Sequence, residues 1–333
     1  MKLTVLDQSP IASGGTPQQA LAQSVQLAQA AEAAGYDRYW VAEHHGSASF
    51  AGCAPEILIA QIAAHTQTIR VGSGGVMLMH YSPLKVAEQF KVLASLHPER
   101  IDLGVGRAPG SDAITAAALA YGSKIGPEYF PARFADLLAF LRGEAPYSDG
   151  LADVNPAPAV SVPPEVWMLG STKDGARLAA HFGVPFSFAH FINADGFEAA
   201  CELYRREFRP SAWSEEPQVG VGVFAISHPD AEHAEDLALC RDLWRIKVER
   251  GVFEPFPSVE EARSFTLTDD QKQIIASRRQ RQILGDANEV GSAIRQTAKQ
   301  VDADDVAIVS ITHDFNDRLH SHLSIAEALK AAS

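Results

Sequence analysis

Short apolar runs alternate along this chain with longer stretches whose apolar residues recur at helical spacing. The runs are Leu3–Asp7, Tyr39–Ala42, Arg70–Met77, Ile101–Val105, Val166–Leu169, Pro185–Phe191, Val219–Ile226 and Val306–Ile311, each read as a strand. Helices are predicted at Pro17–Ala34, Pro55–Gln67, Pro83–Leu96, Ser111–Tyr121 and Pro131–Leu141. Three more follow at Thr172–Phe182, around Asp195–Phe208 and at Asn316–Ala332. Thr16 suits an N-cap and Gly35 a stop, while Pro17, Pro55 and Pro83 each open a helix in its first turn, where a missing N–H costs nothing. Such alternation predicts a parallel sheet, and eight strand–helix units favour closure into a (β/α)8 TIM-type barrel. One interval, Pro229 to Val301, is too long for a single crossover, so a long insertion is expected after strand seven. Its middle, Gly251–Thr268, lacks a steady period and holds Pro255 and Pro257. Residues 251–285 are therefore read as a lid or a structural insertion inside one domain spanning 1–333, since excursions on this face of a barrel often cover the site. The proline-spaced crossing from Ala145 to Pro164 is too short to be a domain linker.

Composition narrows the partners. The chain has 333 residues, 46% of them hydrophobic, and a formal charge of −13, enough for one large core and poorly suited to nucleic acid or anionic membranes. An anion bound here must be held by local donors. No apolar run reaches the roughly 18 residues that span a bilayer, and Met1 to Pro10 lacks the apolar centre of a signal peptide. Cys53, Cys201 and Cys240 are far apart and odd in number, which points to a reduced, cytoplasmic setting.

The chemistry gathers at strand ends. Strand two ends in Glu43-His44-His45; in parallel α/β proteins this end faces the site, and a base near pH 7 is a use for such residues. A strand-end histidine pair satisfied by an acid is the ordinary reading. No H-E-x-x-H accompanies the pair, so no metal set is assigned. Strand three carries Gly72-Ser73-Gly74-Gly75-Val76, glycines that suit either a barrel bend or a backbone lying flat against a planar ligand. Strand four ends in Gly104-Val105-Gly106-Arg107-Ala108-Pro109-Gly110. Its G-x-G-x-x-x-G spacing and Pro109 depart from the dinucleotide fingerprint, leaving Arg107 as an anion ligand or an ordinary ion-pair member. Strand five runs into Gly170-Ser171-Thr172-Lys173-Asp174-Gly175-Ala176. Ala176 stands where a Walker lysine would be, so the loop offers hydroxyls and helix-start amides that can hold a phosphate or simply cap a helix. Arg107 and this loop converging on one phosphate is the sharper expectation. Arg278-Arg279-Gln280-Arg281 reads as a solvated helix face, or as a lid placing cations over an anionic ligand. Trp40, Phe50, Tyr81, Phe188 and Phe191 line an apolar cavity or belong to the core.

Taken in order, these pieces resemble the bacterial luciferase-like flavin monooxygenases over essentially the whole chain. The carriers are Ala42–His45, Arg70–Met79 with Ser82–Phe90 behind it, Gly104–Gly110 with Asp112, Leu169–Thr172 and Thr312-His313-Asp314. The resemblance implies FMN in a barrel mouth, often in a homodimer, with Gly74–Gly75 and Val76 under the flavin ring and a non-proline cis peptide between the glycines. It places Arg107, Gly170, Ser171, Gly175 and Ala176 on the phosphate. His44 becomes the base or hydrogen-bond partner beside the flavin, with Glu43 and His45 shaping its surroundings. The implied activity is a two-component monooxygenase: a separate flavin reductase delivers reduced FMN, whose flavin peroxide with O2 oxidises a small, apolar organic substrate. An F420-dependent hydride-transfer oxidoreductase and a non-catalytic flavin-binding protein are the alternatives. Gly106 replaces the luciferases' reactive cysteine, and Gly170 a glutamate, which argues against light emission; Asp174 adds a negative charge near the phosphate.

Overall fold

The strand segments and helices expected from the sequence are present, and the computed structural model describes residues 1–107, 111–123 and 126–331. The Ala108-Pro109-Gly110 end of the fourth-strand motif and Ala332 of the closing helix lie outside the described residues. The first half of the chain forms β1 (Lys2–Asp7), α1 (Pro17–Ala34), β2 (Arg38–Val41), α2 (Pro55–His65), β3 (Arg70–Met77), α3 (Pro83–Leu96), β4 (Ile101–Gly106), α4 (Ala113–Ala120) and α5 (Phe130–Arg142). There follow β5 (Glu165–Gly170), α6 (Lys173–Phe182), β6 (Phe186–Ala189), α7 (Phe197–Glu207) and β7 (Val219–Ser227). The last part forms α8 (Ala231–Glu249), α9 (Val259–Ser264), α10 (Asp269–Arg279), β8 (Gln282–Gly285), α11 (Ala287–Gln300), β9 (Asp305–Val309) and α12 (Phe315–Ala331).

Strands β1 to β7 pair in chain order, and β9 pairs with both β7 and β1, so eight parallel strands close into a TIM barrel. The insertion after β7 is α8, α9, α10 and β8. Strand β8 was not expected: it pairs only with the end of β7, Phe224 to Ser227. Local chemistry explains the clean boundaries. Thr16 and Gln19 form a reciprocal capping box at the start of α1, and Gly35 ends it in the left-handed region with φ 76°, satisfying orphan groups at both ends.

Alternation along the strands splits the apolar residues into two cores. Val5, Val41, Val71, Leu103, Val221 and Ile308 face the helices. Leu6, Trp40, Trp167, Phe224 and Ala307 fill the barrel interior up to its mouth. Below them lies a buried ion cluster. Arg38 reaches Asp102 at 2.6 Å, Glu165 at 2.8 Å and Asp305 at 3.3 Å. Trp40 Nε1 donates to Asp102 at 2.9 Å, Arg70 Nε to Asp102 at 2.7 Å and Thr4 to Asp305 at 2.7 Å. Burial pushes the Asp305 carboxyl up to about 7, against the pull of Arg38. The lower end of the barrel is thus closed by paired charges, and the open chemistry is left to the strands' C-terminal ends.

Candidate active site

Past β2 the chain stays extended, so Glu43 and His45 turn to one side and His44 to the other. Glu43 is buried and fully used. Its Oε2 accepts from the Met77 N–H at 3.0 Å, and its Oε1 accepts from the Tyr81 hydroxyl at 2.6 Å. His45 Nε2 lies 2.7 Å from the same Oε1, hence carries the proton, and is 3.2 Å from the Tyr81 oxygen. Burial, then the bond to Glu43, holds the Tyr81 phenol far above its usual range. Glu43 therefore ties the end of β2 to the end of β3. His44 stands apart. Its ring lies 4.7 Å from that of Phe50, and its buried Nδ1 has no hydrogen-bond partner among the described residues. Burial pulls its pKa to about 4, with Glu43 opposing, so the imidazole is neutral at pH 7.

Beside this group, the Gly74–Gly75 peptide is cis, and the β3–β4 register slips between Gly74 and Val76. A Cβ on Gly75 would sit 2.6 Å from the Gly104 carbonyl oxygen and 2.8 Å from Leu169 Cδ1. Only glycine lets these backbones approach, and the result is a side-chain-free stretch at the mouth.

Across β4 and β5, Arg107 Nη2 donates to Thr172 Oγ1 at 3.4 Å, so the arginine and the start of α6 do converge. Thr172 caps the helix by accepting from the Gly175 N–H at 3.3 Å, and the Ala176 N–H goes to the Thr172 carbonyl. Both amides named from the sequence are thus used inside the cap. The first two amides, of Lys173 and Asp174, have no intrahelical acceptor. The Asp174 carboxylate faces Arg177 at 3.6 Å, which turns its charge along the helix. Gly170 ends β5 beside α6, where a Cβ would make only ordinary contacts, 3.7 Å from Gly175 Cα. A guanidinium, two hydroxyls and open helix-start amides match a phosphate monoester. With the glycine stretch next to them, they fit FMN.

The insertion roofs the mouth. Trp244 of α8 packs on Phe50 at 5.3 Å and on Phe256 at 6.3 Å. Its Nε1 donates to Ser49 Oγ at 2.8 Å, and Ser49 donates to the Glu254 carbonyl. Phe256 bonds back to Ile11 and Ser13 beyond β1. The arginine run is not simply solvated: Arg278 pairs with Glu249, Arg279 with Asp242 and Glu235, and Arg281 donates to the Ile192 carbonyl. Of the aromatic residues named from sequence, Phe50, Tyr81 and Phe191 reach the mouth region and Trp40 the interior, while Phe188 packs outward on Phe197 of α7. The sequence reading missed the Tyr81–Glu43 bond and the contribution of Trp244. Strand alternation could have revealed that Glu43 partners His45 and not His44.

Comparison with known proteins bears on the family and the fold. The model of the luciferase-like monooxygenase family matches residues 1–305. YwcH of Bacillus subtilis is 42% identical over 98% of this chain and 99% of its own. The N-acetyl-S-alkylcysteine monooxygenase of the same organism is 35% identical, covering 100% of this chain and 99% of its own. The crystal structure of apo-MsnO8 superposes with a TM-score of 0.91 at 34% identity, covering 99% and 98% of the two chains. Two more distant barrels share the fold alone. One is the oxygenating constituent of 3,6-diketocamphane monooxygenase from Pseudomonas putida in complex with FMN (TM-score 0.71, 17% identity, 99% and 98% covered). The other is an F420-dependent secondary alcohol dehydrogenase (TM-score 0.67, 16% identity, 98% of each chain covered). The fold is a TIM barrel, and the family match makes it that of an oxidoreductase. The chain belongs to the luciferase-like monooxygenase family.

Proposed function

We propose that this protein is an FMN-dependent monooxygenase that receives reduced FMN from a separate reductase, works as a homodimer and oxidises a small organic substrate with O2. The observation that carries the reading is one mouth holding the Arg107–Thr172 pair at the start of α6, the Gly74–Gly75 stretch and the neutral His44. Bound FMN supplies the electrons for oxygen chemistry; the chain supplies position, dryness and proton handling. Arg107, Ser171, Thr172 and the first amides of α6 hold the phosphate. Gly74, Gly75 and Val76 form the bed for the ring. His44 Nδ1 offers a lone pair, or a proton in the other tautomer, beside that bed, and its low pKa lets a transferred proton leave readily. Glu43 keeps His45 and Tyr81 locked, so the strand end carrying His44 is rigid. Phe50, Trp244 and Phe256 exclude water from above.

The test is rapid mixing of the protein, loaded anaerobically with reduced FMN, against oxygenated buffer. Reoxidation slower than that of free FMN, and one oxygen atom added to an S-alkylated N-acetylcysteine (the substrate class of the 35%-identical relative), is the expected result. A trace matching free FMN would overturn the reading, and oxidation of reduced F420 without O2 would replace it with hydride transfer. His44→Ala should lower turnover about 10²–10⁴-fold, the usual worth of acid–base help.

A further inference from the structure

The roof of the barrel mouth contains a cation, Arg241, that no described residue pairs with directly, although the charge of Asp242 lies near it. Arg241 lies in the middle of α8, its guanidinium carbon 3.9 Å from the ring centroid of Phe224, a β7 residue grouped with the interior Trp40 and Trp167. Among the described residues it makes no hydrogen bond and no ion pair. The acids of its own helix are all engaged elsewhere. Glu232 and Asp236 pair with Arg263, Glu235 and Asp242 with Arg279, and Glu249 with Arg278. Burial, then the neighbouring charge of Arg245, lowers the Arg241 pKa to about 9, which still leaves it protonated at neutral pH. A half-buried cation with other arginines beside it gains from the arrival of an anion.

Its surroundings say what kind of anion. Contact with the Phe224 ring holds the guanidinium carbon in place and leaves the N–H groups for a planar two-oxygen acceptor, the geometry of a carboxylate. Trp244, three residues on and therefore a neighbour on the helix surface, packs on Phe50, which packs on His44. Aromatic surface thus runs from the α8 side of the mouth to the candidate catalytic imidazole. The proposed phosphate donors lie elsewhere, on β4, β5 and α6. We propose that Arg241 receives the carboxylate of the substrate, a small organic acid whose apolar arm lies along Trp244 and Phe50 toward His44. The reaction performed on that arm rests on the monooxygenase reading above; the acid recognition does not.

The probes are N-acetyl-S-benzylcysteine and its carboxamide, titrated calorimetrically into the FMN-loaded protein, its Arg241→Met variant and its Arg241→Lys variant. The natural protein should prefer the acid at least about tenfold, as expected for charge-assisted hydrogen bonds. Arg241→Met should lose about 10–100-fold in acid affinity and keep amide and FMN affinity, and Arg241→Lys should fall between, having charge without the fork. Acid affinity unchanged in Arg241→Met, or no acid preference in the natural protein, overturns the proposal. Failure of the FMN reading looks different, since natural and variant proteins would then take up no FMN. The acid–amide comparison on flavin-free protein would still decide the role of Arg241.

Discussion

Arg107 and Tyr81 make different kinds of contact, and their substitutions should separate. Arg107→Ala removes the guanidinium from the mouth while leaving the α6 cap intact, so FMN affinity should fall about 10–100-fold, the worth of charge-assisted contacts. Riboflavin, which lacks the phosphate, should bind as before; fluorescence titration of both flavins checks this, and an equal loss for the two would remove Arg107 from the phosphate. Tyr81→Phe takes one donor from a buried carboxylate and should cost about 1.5–3 kcal/mol in urea denaturation. At this scale the sequence was half legible. Glu43, His44, His45 and Arg107 could be picked out because polar groups at apolar strand ends are conspicuous. Tyr81 looked like one aromatic residue among several, since its bond to Glu43 joins positions 38 apart in the chain.

Among elements, the β3–β4 pair is the most constrained. A Cβ on Gly104 would stand 2.1 Å from the Ser73 carbonyl oxygen, so Gly104→Ala should force the strands apart and lower stability by about 3 kcal/mol, the upper range for overpacked sites. A denaturation midpoint within error of the natural protein would show that the pair can yield. The barrel strands were readable because each is a continuous apolar run between a cap and a Gly or Pro. Strand β8 was not: Gln282-Ile283-Leu284-Gly285 is short, only partly buried and without alternation, and its pairing with β7 is set by the tertiary fold. The arginine run shows the same gap. Its charges were visible, but their partners on α8, such as Asp242 and Glu249, are set by how the insertion folds over the barrel.

For the molecule as a whole, buried titratable groups set a pH window. His44 titrates near 4 and His322 near 3 in the fold, both held down first by burial, against 6.5 when exposed. The unfolded chain takes up these protons first, so stability should fall as pH drops from 6.5 toward 4. Asp305 runs the other way. Its folded value near 7 exceeds the usual 3.8, so its contribution is present in acid and is lost as pH rises through 7. Urea midpoints should therefore rise from pH 4.5 toward neutrality, where the two histidines outweigh the one carboxyl, and level off above pH 7; a flat profile below pH 7 would mean these groups are not desolvated as described. Arg38→Met leaves Asp102 and Asp305 buried without their central cation, and should destabilise by about 3–5 kcal/mol, measured the same way at pH 7.

One hydroxyl joins the two halves of the mouth. Ser49, on the segment that follows His44, accepts from Trp244 and donates to the Glu254 carbonyl of the insertion. Under the proposed reading, with His44 as the acid–base group, this link would couple access to catalysis: a roof that lifts to admit a substrate would pull on the same stretch of chain that carries the imidazole. Ser49→Ala should uncouple them, quickening ligand entry while loosening the geometry of the reacting group, so that the rate of binding and the rate of turnover change in opposite directions.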